Sequence, residues 1–280
     1  MIRAVLIALA LPGMALADTG AGMGARVISL GGSVTEIAVA LGAGARLVGR
    51  DTTSTWPETV LDLPDVGYIR ALSPEGVLSL GPDLILSEAG AGPVEAVTVL
   101  KAAGVPFLQM PGEPTPEGVL SKIDAVAAAL DLPEAGAMLH AEVARGLMAA
   151  RAAADQVTAP QRVLFVLSLT SGRVTAGGQG SSAEGIIHLA GAQNAASGFE
   201  GWKQMTDESV IAAAPDLILM MDRDGDQAVT DADVLAHPAL SQTPAAQKGR
   251  ILRMDGMLLL GFGPRTPEAA RALHSAIYGS

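Results

Sequence analysis

Ser73–Ser87 reads SPEGVLSLGPDLILS, and Thr206–Met220 reads TDESVIAAAPDLILM. Glu75 aligns with Glu208, and Pro82-Asp83-Leu84-Ile85-Leu86 with Pro215-Asp216-Leu217-Ile218-Leu219, at a constant offset of 133 residues. A hydroxyl residue, an acid two positions on, a helical stretch and then Pro-Asp before an apolar run spell one unit. It is a capped helix leading into a buried strand. A weaker echo joins GSVTEIAVALGA from Gly32 to GSSAEGIIHLAGA from Gly180. Two similar halves predict a bilobed molecule with a cleft between the lobes and a matched glutamate on each.

Working outward, Arg26–Leu30 predicts the first strand, with Ser33 capping a helix over Val34–Leu41 and Glu36 completing a capping box. Leu47–Gly49, Leu84–Leu86 and Val105–Gln109 read as further strands, with helices opening at Ser73 and Pro93 between them. Thr115–Leu130 and Pro133–Val157 are Ala-rich helices. The second, at about 36 Å, is long enough to join two lobes as a stiff connector that permits only small rocking. Arg162–Leu169 restarts the alternation. Helices over Ser181–Leu189, at Glu208, over Val229–Ala236 and over Pro267–Ile277 follow, with strands Leu217–Met221 and Ile251–Met254. Alternation of this kind predicts an α/β fold of two Rossmann-like lobes with mostly parallel sheets. The expected divisions are a first lobe over residues 18–132, a connecting helix over 133–157 and a second lobe over 158–280.

The chain has 280 residues, long enough for two cores. Residues 1–17 carry Arg3, an apolar segment and Ala15-Leu16-Ala17, the pattern of a cleaved secretory signal peptide. There is no cysteine, hence none to carry a lipid anchor. A free protein in a bacterial periplasm, with no membrane anchor, is expected. Without Arg3 there are 17 basic against 29 acidic side chains. That balance argues against nucleic acid or anionic membrane as a partner. The Gly20–Gly24 run precedes a strand instead of following one, so it is no dinucleotide loop.

Tyr68, in Val66-Gly67-Tyr68-Ile69-Arg70, carries the most specific chemistry. Ligands of such sheets bind at loop ends. A phenol ionises near pH 10, and a cation such as Arg70 favours the phenolate. A phenolate oxygen suits ferric iron, and tyrosine is a haem-iron ligand. Taken alone, Tyr68 also reads as an ordinary half-buried loop tyrosine.

Arg46–Pro57 (RLVGRDTTSTWP), Leu63–Leu80 (LPDVGYIRALSPEGVLSL) and Leu259–Pro267 (LLGFGPRTP) together resemble the periplasmic haem-binding proteins of bacterial haem ABC importers. The likeness runs over essentially the whole mature chain. It implies two α/β lobes on one connecting helix, haem as the transported ligand, Tyr68 as its axial iron ligand and Arg70 as the partner that tunes it. Arg265 would meet the haem from the second lobe. Glu75 and Glu208 would dock the two lobes onto a two-fold symmetric permease, as an isologous partner requires. Some relatives supply a histidine from the second lobe, but Ser168–Thr175 (SLTSGRVT) has none and offers Arg173 to the pocket instead. Trp202 and Lys203 stand where Gly-Tyr-Lys is common, and Trp56 where a tyrosine is common. A Trp can stack on a porphyrin and a Lys can meet a propionate, although plain packing also accounts for both Trp residues. The resemblance implies a monomeric carrier, with a ferric-siderophore or cobalamin binder of the same fold as the alternative.

Other chemistries find little support. His140, His188, His237 and His274 form no short-spaced metal pair, and His188 reads as structural. No Gly-x-Ser-x-Gly elbow announces an enzyme. Met205, Met220-Met221, Met254 and Met257 are irregularly spaced and read as core, not as copper ligands. Asp222–Asp226 imitates a calcium loop, but Gln227 replaces the required Gly and Asp233 the required Glu. Tyr278 is expected at a frayed end.

Overall fold

The computed structural model describes residues 24–170, 172–222 and 229–279. The leader expected over residues 1–17, and most of the acidic loop after Asp222, lie outside them.

The first lobe opens with β1 (Val27–Leu30), α1 (Gly32–Ala40) and β2 (Leu47–Arg50), followed by α2 (Pro74–Leu78), β3 (Leu84–Ser87), α3 (Val94–Ala102) and β4 (Phe107–Gln109). The four strands form one sheet in the order β2-β1-β3-β4, and every pairing is parallel. Two helices, α4 (Pro116–Ala129) and α5 (Pro133–Asp155), lead to the second lobe. That lobe holds β5 (Arg162–Thr170), β6 (Arg173–Gly177), α6 (Ser182–Leu189), β7 (Gln193–Asn194), β8 (Trp202–Gln204), α7 (Asp207–Ala213) and β9 (Leu217–Asp222). It closes with α8 (Asp231–Ala236), α9 (Pro244–Gln247), β10 (Ile251–Asp255), α10 (Gly256–Leu260) and α11 (Thr266–Tyr278).

The repeat that divides the sequence recurs as one structural unit. Ser73 accepts from Gly76 N at 3.3 Å and Thr206 from Ser209 N at 3.2 Å, so each phrase begins with a capped helix, α2 or α7. Asp83 N donates to Arg26 O at 2.9 Å and Asp216 N to Arg162 O at 2.8 Å. In return the Asp83 carboxylate accepts from Arg26 N at 3.1 Å, and that of Asp216 from Arg162 N at 3.0 Å. Each Asp thus fastens the start of its lobe's first strand to the start of the central strand beside it. The Leu-Ile-Leu that follows is buried in both lobes, as a strand covered on both faces requires.

The second sheet is mixed, not parallel throughout. Its order is β10-β9-β5-β6-β8, with β7 also on β5. The pairings of β5 with β9 and of β9 with β10 are parallel, while those of β6 with β5 and β8 are antiparallel. The cause is local. β5 ends at Thr170 and β6 begins at Arg173, and so short a connection can only join antiparallel neighbours.

The two lobes share a core. One continuous cluster takes in Val34 and Ile37 of α1, Ile123 and Val126 of α4, Val143 and Leu147 of α5, Phe165 and Leu219 of the second sheet, and Leu273 of α11. Separate clusters cover the outer face of each sheet. The 23-residue helix α5 is therefore one wall of a common interior as well as a connector. Tyr278 is not frayed: its hydroxyl donates to Gly191 O at 2.8 Å and accepts from Gln161 N at 3.3 Å. His188 is exposed, so its expected structural role is not what the fold gives it. Among the described residues, no helix is long and apolar enough to cross a membrane.

Candidate functional site

Ligands of open parallel sheets lie beyond the carboxyl ends of the strands. In the first lobe the loop leaving β2 at that end runs to α2 and carries Tyr68. A chain of polar contacts fixes its course. The fully buried Asp51 carboxylate accepts from Gly31 N at 2.9 Å, Thr53 Oγ1 at 2.7 Å and Ser54 Oγ at 2.8 Å, tying the loop's start to the end of β1. Arg50 Nη1 donates to Asp65 at 3.0 Å, and Asp65 accepts from Gly67 N at 2.8 Å. Gly67 turns with φ 94°, a conformation other residues resist, and its carbonyl accepts from Thr52 N at 3.0 Å. Ile69 and Leu72 are buried beneath the loop, and Gly92 holds both ends of that stretch through 2.9 and 2.8 Å backbone bonds. Tyr68 stands on this frame 43% exposed. Arg70 Nη1 donates to its phenolic oxygen at 2.7 Å, while the guanidinium carbon lies 5.9 Å from the ring centre. The pairing expected from two residues of sequence spacing is present, and both partners face solvent.

The second lobe offers a different surface. Trp202 opens the edge strand β8 opposite Gly177, and its ring meets Phe165 edge-on at 5.6 Å and 72°. Arg173 lies on the same sheet face, two pleats from Gly177, with Nη1 on Gln204 Oε1 at 3.3 Å. Lys203 pairs with Ala176 and so belongs to the opposite face. The register therefore separates Trp202 from Lys203, which the sequence offered as joint contacts to one ligand. A depression of about 480 Å³ runs from Arg173 past Gln204 and Thr206 to Glu208.

Arg265 sits at the boundary between the lobes, beside a depression that Trp56 and Glu36 also line. Its Nε donates to Glu36 Oε1 at 2.6 Å and Nη2 to Glu36 Oε2 at 3.4 Å, across the lobe boundary. Its guanidinium carbon lies 4.5 Å from the centre of the Trp56 ring. Both charges are largely withdrawn from water, at 19% and 8% side-chain exposure. Burial pushes the Glu36 carboxyl up, and Arg265 opposes that shift by hydrogen bond and by charge. Glu36 is consequently no capping-box partner. Nor does Ser33 cap α1, whose N-cap is Gly31 with no side-chain bond. The Ser33 hydroxyl is instead held between Glu88 and the buried Lys122, whose Nζ lies 2.7 Å away. Lys122 also reaches Glu88 at 3.4 Å and Phe262 O, in the other lobe, at 3.3 Å.

Glu75 and Glu208 occupy equivalent first turns, of α2 and α7, and both are exposed. The Glu208 carboxyl is held below the usual range by its own backbone N–H and by the Thr206 hydroxyl. Asp51, Glu88 and Lys122 went unread in the sequence. Asp51 heads a Thr-Thr-Ser run suited to a side-chain-bonded turn. Lys122 has a visible signal too, since Val119, Ile123 and Val126 place it on an apolar helix face.

Residues 27–258 match the periplasmic binding protein family. Among solved structures, the chain is 44% identical to the periplasmic haem-binding protein BhuT in complex with two haems. That match covers 90% of this chain and 97% of the other, with a TM-score of 0.85. It is 38% identical to the periplasmic haem-binding protein RhuT from Roseiflexus sp. RS-1 in apo form, over 91% and 98%, with a TM-score of 0.86. A Bacillus subtilis (strain 168) ABC transporter substrate-binding lipoprotein, YvrC, is 27% identical over 90% of this chain and 80% of its own length. The vitamin B12-binding protein of Yersinia pestis (strain Pestoides F) is 29% identical over 70% and 69%. On the match to residues 27–258 and the identity to solved relatives, the chain belongs to the periplasmic binding protein family and groups there with the haem-binding proteins.

Proposed function

We propose that the protein captures haem in the cleft between its lobes, in the periplasm, and delivers it to an ABC importer. One observation carries the reading: an exposed phenol with a guanidinium 2.7 Å from its oxygen, on a loop pinned at the carboxyl end of the first sheet. Ferric iron favours an anionic oxygen ligand, and Arg70 sets a positive charge where such an anion would stand. Arg173 and Trp202 share a face of the second sheet and suit a propionate and a porphyrin plane respectively. Burying the apolar macrocycle adds several kcal/mol at about 25 cal/mol per Å². Arg265 belongs to the lobe junction in this reading, and Lys203 to the rim. Trp56 serves the junction as well, through its ring on Arg265. Glu75 and Glu208 dock the two lobes of a monomeric carrier onto the permease pair.

Hemin added to the mature protein should produce the charge-transfer band of tyrosinate-bound high-spin iron. Tyr68→Phe should abolish the band and weaken binding about tenfold or more, the equivalent of about 1.4 kcal/mol. An unchanged spectrum and affinity would remove Tyr68 from the iron. Cyanocobalamin, the cargo type of the vitamin B12 relative, serves as the competitor: preference for it over hemin would overturn the haem reading. Glu75→Ala combined with Glu208→Ala should leave hemin binding intact and stop uptake.

A further inference from the structure

The segment that resembles the C-terminal motif of haem-binding proteins lines a depression at the lobe boundary through Pro264, Arg265 and Pro267, opposite Glu36 and Trp56. Together with the turn before it, it lies along the first turn of α1 in the other lobe, contact by contact. The Met257 side chain crosses to Gly32, with Sδ 2.8 Å from where a Gly32 Cβ would stand. Its Cε also fills the space beside Gly261, 2.7 Å from where a Cβ would project there. Gly263 comes next, where a Cβ would sit 3.2 Å from Ser33 Cβ. Arg265 then reaches Glu36 at 2.6 Å. Between these points Lys122 of the first lobe bonds Phe262 O of the second.

We propose that Met257 is a positioning residue: seated on Gly32, it is the spacer that sets the width of the cleft. The glycine supplies a hole, since any side chain there would occupy the place of the thioether. The methionine is the knob. The Arg265–Glu36 pair, capped by Trp56, anchors the same segment one helical turn further along α1. Contacts at Gly32, Ser33 and Glu36 together resist closing and twisting beyond the small rocking that a single stiff helix permits. The shared core behind them leaves little freedom for a hinge. The cleft is therefore pre-set in the ligand-free chain, and affinity rests on that preorganisation. Where the cargo is concerned, the inference rests on the haem reading; the spacing of the lobes does not.

The test exploits the absence of cysteine, which makes site-directed spin labelling clean. Val99→Cys on α3 and Lys248→Cys beyond α9 place labels at exposed positions, one per lobe. The labelled parent chain should give one narrow inter-label distance that hemin shifts by no more than about 1 Å. Met257→Leu, close in volume, should reproduce it. Met257→Trp should lengthen the distance, and Met257→Ala should broaden it toward shorter values. Hemin affinity should fall about tenfold in the Trp variant. The tyrosinate band should persist in whatever haem remains bound, because Tyr68 lies elsewhere. Distances that ignore residue 257 in all three variants would overturn the proposal, as would a Trp variant that loses the band at unchanged spacing. If the Trp variant does not fold, the Ala variant decides on its own: a narrow, unshifted distance there overturns the proposal. A parent chain that takes up no hemin would overturn the haem reading and leave the distances to judge the spacer.

Discussion

Arg70 and Arg265 each rest beside an aromatic ring and bond an oxygen, and they differ in almost everything else. Arg70 bonds a phenol two residues away on its own loop, 5.9 Å from that ring's centre, with both partners exposed. Arg265 bonds a carboxylate 229 residues away in the other lobe, 4.5 Å from the centre of the Trp56 ring, and both charges are mostly buried. An exposed pair costs little to form and little to break, so it is free to exchange water for a ligand. A buried pair is committed, because removing one member strands the other in a low dielectric. The first arrangement suits a site that must accept cargo. The second suits a junction that must not move. Two arginines that the family likeness assigns to one pocket thus differ in burial and in partner, and the proposed roles of ligand device and junction follow that difference.

The comparison breaks most visibly at Arg265. Arg265→Ala should cost about 3–5 kcal/mol in urea unfolding at neutral pH, since it leaves the Glu36 carboxylate buried and unpaired. Arg70→Ala should lie within about 0.5 kcal/mol of the parent in the same measurement. Equal losses would mean that burial does not separate the two roles. Hemin titration should invert the order. Arg70→Ala should weaken binding about tenfold, or about 1.4 kcal/mol, and alter the tyrosinate band. Arg265→Ala should leave that band in place in the folded fraction.

The repeat explains why so much of the fold was legible. Asp83 and Asp216 are each followed by Leu-Ile-Leu because a central strand needs apolar residues on both faces and a carboxylate to secure its neighbour. Such local requirements leave a readable phrase. The hairpin joining β5 and β6 left only Ser171-Gly172 as a signal, so the antiparallel strands β6 and β8 went unread. Tyr68 and Arg70 were legible because their geometry is set within one loop. Glu36, Ser33 and Lys122 were not, since their partners lie at Arg265, Glu88 and Phe262, and sequence spacing carries no information about contacts of that range. Ser33 misled outright. Its counterpart Ser181 does cap α6, accepting from Glu184 N at 3.2 Å, so the echo between the two segments promised a cap that the first lobe redirected to the junction.

That redirection permits a smaller comparison between the lobes. Ser73→Ala and Thr206→Ala remove matched caps and should each cost about 1 kcal/mol by urea unfolding. The two losses should agree and should add in the double variant, since the caps sit in different lobes and share no partner. A single cap that cost nothing would show that tertiary packing, not local bonding, holds that helix start.

The finest difference is one of slope. Glu36 carries a pKa raised above 4.5, with burial the leading cause and Arg265 working against it. The folded chain then holds this proton more tightly than the unfolded chain. Below about pH 4.5 both forms are protonated and the favourable contribution is fully present. As pH rises through the raised value, the folded state must ionise a buried acid and the contribution is lost. Relative to Glu36→Gln, which keeps an oxygen acceptor for Arg265 but cannot ionise, the parent should lose stability across the window just above pH 4.5. A series of urea midpoints from acid to neutral pH reads this directly. Should the parent instead gain on the variant as pH rises, the attraction of Arg265 would outweigh desolvation. The junction would then be held together by its charges, and the contrast with Arg70 would rest on geometry alone.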